Sequence, residues 1–216
     1  MKAIRKTMPE TGASFEEVPV PEINRDEVLI KVEASALCKS DVDVYEWTPL
    51  VAKAQYPLPF IMGHEFAGHI VKMGEAVKGF QVGDRVAGET HIPCGYCETC
   101  RTGNQHICGN HMGVLGRTVD GCFTEYIALH QKALIHLPDN LSYKEGALLE
   151  PFATAMHAVS KAKPAGRSLL IAGTGTIGQM AVEIAAFLGC TKLFAMDIDD
   201  KKLKLSLIHI SEPTRP

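Results

Sequence analysis

Four of the seven cysteines in this 216-residue sequence fall within fifteen residues, as Cys94-x-x-Cys97-x-x-Cys100 followed by seven residues and Cys108. Four thiolates are the complement that Zn²⁺ takes in a closed tetrahedral site with no position left for water, so the spacing predicts a structural metal site. Gly95 and Gly103 let the chain turn around an ion, and the loop from Pro93 to Gly109 has too few large apolar residues to order itself. Two other readings stand beside this one. An iron–sulfur cluster also takes four cysteines, although this spacing does not reproduce the ferredoxin runs. Simple buried cysteines would sit among apolar neighbours, whereas Glu98, Thr99, Arg101, Asn104 and Gln105 make a polar loop. Cys122 and Cys190 stand apart and read as small core residues.

A second local pattern, Gly173-Thr174-Gly175-Thr176-Ile177-Gly178, matches G-x-G-x-x-G. Glycine-rich turns are common, and position gives this one its meaning. It follows the apolar run Ser168 to Ala172 and opens an Ala-rich amphipathic stretch from Ile177 to Leu188. The helix N-terminus predicted there can hold a pyrophosphate, and the glycines permit the turn and a close backbone approach, with Gly173, Gly175, Ile177 and Gly178 as the cofactor-binding positions. Asp197 ends the next run, Lys192 to Met196, nineteen residues beyond Gly178. A carboxylate at about that offset accepts ribose hydroxyls and repels a 2′-phosphate, which predicts NAD over NADP. The plainer reading is a solvated turn acid, since Asp199 and Asp200 follow.

Cys38, His64 and Glu150 lie too far apart to make a metal site on spacing alone. Their contexts are more specific: Gly63-His64-Glu65-Phe66-Ala67-Gly68, then Gly74, Val77 and Gly83-Asp84-Arg85-Val86, resemble the signature of zinc-dependent medium-chain alcohol dehydrogenases, over Met1 to Leu203. The resemblance implies that Cys38, His64 and Glu150 surround a catalytic zinc, with Glu65 beside them as an occasional or outer ligand and one position open for water or a substrate oxygen. It also implies that Ser40 is the relay hydroxyl. Asp43 stands where the next relay group is commonly a histidine, so a changed pH dependence is expected. Two zinc ions per chain, NAD, a small alcohol or amino-acid substrate and a homo-oligomeric full-length protein are further implications.

Within the family, the run Gly83 to Gly95 together with Tyr45-Glu46-Trp47 looks most like the L-threonine 3-dehydrogenases, in which His91 would lie near the substrate. Sorbitol, other polyol and butanediol dehydrogenases are alternatives, because polyol enzymes share nearly all these motifs. A catalytically silent, zinc-stabilised binding module also stays open, since fold alone does not establish activity.

These residues need elements to position them. From Glu16 to about Leu137, short β-branched runs such as Val28 to Val32, Gly68 to Val71 and Asp84 to Ala87 are broken by Gly and Pro, which predicts a compact β-rich domain. Helical spacing begins in Ser142 to Lys163 around Pro151, and a strand-helix-strand unit follows. The predicted fold class is therefore α/β with a β-rich part: residues 1–150 a GroES-like catalytic domain, and residues 151–204 the first βαβ unit of a Rossmann domain. One such unit exposes both edges and faces of its sheet. A truncated chain, one that binds zinc yet is inactive or unstable, is expected. Residues 205–216 fit no helix pattern and resemble the translation of a transposase adaptor used for sequencing libraries, so a non-native tail is expected there.

Composition is that of an ordinary globular protein, with 46% hydrophobic and 22% charged residues. The formal charge of −3 provides no broad attraction for nucleic acid or an anionic membrane. The N-terminus has no apolar signal region and no run of about eighteen apolar residues occurs. Clustered cysteines suit a reducing compartment, and the expected location is cytoplasmic.

Overall fold

The structure, a computed structural model, describes residues 1–208 and the side chains of 1–204. It divides into two compact units, Met1–Glu150 and the chain from Pro151 on. In the first, β1 (Lys2–Lys6), β2 (Ser14–Glu17) and β3 (Glu27–Ala36) lead into α1 (Lys39–Glu46) and α2 (Pro49–Lys53). Then come β4 (Phe60–Ile61), β5 (Glu65–Met73), β6 (Arg85–Gly88), β7 (His91–Ile92), α3 (Glu98–Arg101), β8 (Gly113–Val114), β9 (Tyr126–His130), β10 (Leu134–His136) and α4 (Tyr143–Ala147). After α5 (Leu149–Ala162), β11 (Ser168–Ala172), α6 (Thr176–Phe187), β12 (Lys192–Met196) and α7 (Asp200–Ile208) complete the described chain.

The first unit is organised by a five-stranded antiparallel sheet in the order β10-β6-β5-β3-β9, with a three-stranded sheet β2-β1-β4 and the small pair β7-β8. Alternation along the strands fixes the register. Val28 and Ile30 of β3 pair with Leu129 and Ile127 of β9, and all four are buried on the same face with Phe66, Ile70, Val86 and Leu115. A slip by one residue would turn this whole set to solvent. Each side chain so buried contributes about 1.5–3 kcal/mol.

Three short helices, α1, α2 and α3, interrupt the β-rich stretch where only strands were expected. In α1, Asp41 and Val44 alone are buried, so the segment has no apolar stripe from which a helix could be read. Its last turn is fixed by the fully buried Lys6, whose ammonium donates to the carbonyls of Glu10, Gly12 (2.8 Å) and Tyr45 (3.1 Å). On its other side α1 packs through Val44 against Val51, Phe60 and Met62.

In the second unit, β11 and β12 run parallel with Leu170 opposite Phe194 and Ala172 opposite Met196. Leu169, Ile171 and Leu193 turn toward Ala181, Ile184 and Ala185 of α6. The opposite face leaves Leu170, Phe194 and Met196 at 59%, 56% and 53% exposure, so the described sheet has one covered face and one open apolar face. The break in helical pattern expected from Leu205 on is corrected: α7 continues through Ile208, four backbone positions into the supposed tail. The rest of that tail lies outside the described residues.

Candidate metal centres and cofactor turn

β7, α3 and the short 3₁₀ turn Gln105–Ile107 bring the four clustered cysteines together. Cys94 Sγ lies 3.9 Å from Cys100 Sγ and 3.5 Å from Cys108 Sγ, and Cys97 lies 3.8 Å from Cys108. All four sulfurs fall within 4.8 Å of one another. Zinc–sulfur bonds of about 2.3 Å imply a tetrahedral edge of about 3.8 Å, so the set fits one zinc ion. The sulfurs are too far apart for disulfides and leave room for one ion, not a multi-iron cluster. Burial raises the Cys94 thiol, but N–H groups of Tyr96 and Cys97 more than offset this and bring it down to about 6. Burial and its neighbouring thiols push Cys100 up to about 12. Four thiolates repel one another, and a divalent cation between them removes that cost.

The second group forms where β3 ends and β5 begins. Cys38 is the residue at the N-terminus of α1, and His64 immediately precedes β5, whose first residue, Glu65, pairs in register with Ala36. One ligand atom each from Cys38, His64 and Glu65 lie within 4.8 Å of one another, with His64 and Glu65 buried. His64 Nδ1 is the one buried side-chain nitrogen or oxygen without a well-directed hydrogen bond among the described residues, and lies 3.3 Å from Asp41 Oδ1. Burial pushes the imidazole down, while Asp41 and Cys38 beside it raise it to about 10. The Cys38 thiol is lowered, first by His64. A soft thiolate, an imidazole and a carboxylate so grouped fit a zinc ion with an open position.

Glu150 is not part of this group. Its Oε1 accepts a 2.8 Å hydrogen bond from the Thr90 hydroxyl, and its charge, after burial, helps raise the Glu65 carboxyl. The acid grouped with Cys38 and His64 is Glu65, the first residue of β5 and the neighbour of His64 in sequence.

Ser40 Oγ accepts 2.9 Å from Arg117 Nη2, and Arg117 Nη1 reaches Asp41 Oδ1 (3.2 Å) and Gly116 O (2.6 Å). Asp43 pairs with Lys39 on the surface of α1, so among the described residues no hydrogen bond joins it directly to Ser40. His91 on β7 meets His111 edge to face at 6.2 Å, and burial followed by His111 lowers its pKa. Glu89 on the adjoining segment is raised by burial.

Asp41 and Arg117 were not singled out by sequence. Cys38-x-x-Asp41 has the spacing of a helix capping box, and Asp41 Oδ2 does accept the Cys38 N–H at 3.1 Å. That spacing was the available signal. No local signal marks Arg117 or Thr90, whose partners lie 76 and 60 residues away.

In the second unit Gly173 holds φ +96° and Gly175 precedes the first residue of α6. A Cβ at Gly178 would meet the Gly173 carbonyl oxygen at 1.8 Å, so only glycine allows the helix this close to the turn. Ile177 is partly exposed on α6, and Asp197 follows the last residue of β12 and is bonded to Thr174 in the turn.

The family model for the alcohol dehydrogenase GroES-like domain matches residues 24–139, more than half of the chain and the segment carrying both metal groups up to Cys108. The chain belongs to the zinc-dependent medium-chain alcohol dehydrogenases. It resembles several dehydrogenases at once. It is 42% identical to the L-threonine 3-dehydrogenase of Legionella pneumophila (strain Corby) over 206 residues, which are 95% of this chain and 60% of that protein. Galactitol-1-phosphate dehydrogenase from Escherichia coli superposes with a TM-score of 0.88 at 32% identity, over 97% of this chain and 59% of that one. A Sinorhizobium meliloti 1021 protein bound to NADP gives 0.84 at 31%, over 96% and 59%. The chain therefore spans about 60% of the length of the curated relatives it matches. The GroES-like fold expected for the β-rich part is the one the family match describes.

Proposed function

We propose that this chain carries the metal sites and the opening cofactor turn of an oxidoreductase that moves hydride from a secondary alcohol to NAD. The alcohol we assign is C3 of L-threonine, giving 2-amino-3-oxobutanoate. The observation that carries the reaction class is the gathering of Cys38, His64 and Glu65 within ligand reach, two residues from the Ser40 hydroxyl. The 42% identity to an L-threonine 3-dehydrogenase supports the substrate.

Zinc held by Cys38, His64 and Glu65 would supply Lewis-acid polarisation of the alcohol oxygen. The remaining work belongs to the chain. One lone pair of Ser40 Oγ is occupied by the Arg117 N–H, which leaves the other to accept the alcohol proton and the O–H to pass one on. Asp43, held by Lys39, receives it through water, since no direct bond links it to Ser40. Burial and His111 keep the His91 imidazole neutral, and a neutral ring nitrogen accepts a hydrogen bond from a substrate ammonium. The amide groups that open α6 suit a pyrophosphate, and Asp197 suits a ribose.

Polyol oxidation is the second reading, favoured by the 0.88 superposition on galactitol-1-phosphate dehydrogenase. For a protein extended to the length of its relatives, initial rates of NAD⁺ reduction on L-threonine, sorbitol and 2,3-butanediol decide between them. Threonine as the poorest substrate would overturn the assignment, and no activity on any alcohol would favour a silent binding module. We further infer that the 216-residue chain binds zinc without robust turnover and that the longer protein is a homo-oligomer. Support for the first part is the open apolar face of Leu170, Phe194 and Met196 on a sheet of two described strands. Sustained NAD-dependent turnover by the 216-residue chain would overturn it.

A further inference from the structure

Asp197 does not wait freely at the end of β12. Its Oδ2 accepts the Thr174 N–H at 2.6 Å and the Thr174 hydroxyl at 3.1 Å, while Oδ1 accepts the Asp199 N–H at 2.9 Å. Thr174 is fully buried, so water does not compete for that hydroxyl. An ionised carboxylate has about four acceptor sites, and three are filled here by the protein. The vacancy lies on Oδ1. The shape of the turn is set by Gly173 and Gly178 and does not itself demand a hydroxyl at the position between Gly173 and Gly175. Thr174 therefore has a contact that goes beyond forming the turn.

We propose that Thr174 is a positioning residue for Asp197: it fixes Oδ2 so that Oδ1 offers one acceptor site to one ribose hydroxyl of a dinucleotide and a stationary negative charge against a 2′-phosphate. The inference rests on the NAD reading and deepens it. The Thr174 N–H holds the carboxyl below the usual range, with the Asp199 N–H and the Thr174 hydroxyl adding to it. The charged groups around it are Asp199 and Asp200 beyond β12 and Lys202 on α7, of which Lys202 also favours the ionised form. Removing the hydroxyl leaves Oδ2 with the Thr174 N–H and Oδ1 with the Asp199 N–H, so the carboxylate is held by two bonds instead of three and its orientation loosens.

The test compares the protein extended to the length of its relatives with its Thr174→Val variant, which keeps the shape and the N–H, and its Thr174→Ser variant, which keeps the hydroxyl. Titration calorimetry with ADP-ribose and with 2′-phospho-ADP-ribose measures the preference, and carbon-detected NMR follows the Asp197 carboxyl against pH. Wild type is expected to prefer ADP-ribose, Thr174→Val to lose about tenfold of that preference, the worth of one hydrogen bond to a charged group, and Thr174→Ser to recover it. The Asp197 titration moves up in Thr174→Val and returns in Thr174→Ser. An unchanged preference and an unchanged titration in a folded Thr174→Val overturn the inference. Failure of wild type to bind either ligand overturns the NAD reading and the ribose role together, and the carboxyl titration still decides whether Thr174 positions Asp197.

Discussion

His64 Nδ1 lies 3.3 Å from Asp41 Oδ1, and the Asp41 side chain is completely buried between the imidazole, the Cys38 N–H and Arg117. A carboxylate behind a ligand histidine fixes the ring's tautomer and orientation, and its loss typically costs 10–100-fold in metal affinity. Asp41→Asn should accordingly weaken one zinc site by about that factor and leave the four-cysteine site intact. Zinc content measured against a graded chelator would show two classes of site in the wild type, with one moved in the variant. Two unmoved classes would show that Asp41 does not support His64.

Cys100 tests the other centre. Its sulfur is one of four within 4.8 Å, and the loop around it has no buried apolar side chain in α3 to hold it together. Cys100→Ser should remove one of two zinc ions, lower the thermal midpoint and make residues 94–108 the first protease-sensitive segment. Retention of both ions at unchanged stability would count against a structural site.

The features legible in the sequence were the local ones. The four cysteines and the glycine turn each lie within a short stretch, so spacing predicted the first grouping, and spacing together with the flanking runs of strand and helical period predicted the second. α1 escaped notice because its burial falls on Asp41 and Val44 and not on an apolar stripe. Arg117 escaped because its partners, Ser40 and Asp41, are 77 and 76 residues away and are met only when the chain returns after β8. The role expected of Glu150 depended on resemblance; the structure shows one of its oxygens bonded to the Thr90 hydroxyl and Glu65 as the acid grouped with the cysteine and histidine.

Arg117 carries a stability prediction of its own. Its guanidinium uses separate nitrogens for Ser40 and Asp41, and both charged side chains are at most 8% exposed. Breaking a buried pair by removing one partner leaves the other charge uncompensated, at about 3–5 kcal/mol. Asp41 keeps the Cys38 N–H and the neighbouring His64, so Arg117→Met should lose less than that, about 1–3 kcal/mol, in urea unfolding. Arg117→Lys keeps the charge but not the fork and should lose less. Equal losses in the two variants would mean that packing, not charge, is what Arg117 provides.

The last prediction concerns acid. Ser142 precedes α4, and its N–H and hydroxyl both donate to Glu145 Oε2 at 2.7 Å, which holds that carboxyl below its usual range, the hydroxyl contributing most. A depressed carboxyl pKa means that the unfolded chain binds the proton more readily than the folded one. The contribution to stability is then fully present above the unfolded value of 4.5 and is lost as pH falls through the lower folded value. α4 sits on the sheet where a Cβ at Gly146 would come within 2.8 Å of Ala67, so loosening its first turn is felt two residues from Glu65. Thermal unfolding of wild type and Glu145→Gln should differ at neutral pH, wild type being the more stable, and the two should converge as pH drops below the carboxylate range. A gap that stays constant with pH would show that the bond to Ser142 does not depend on the charge of Glu145.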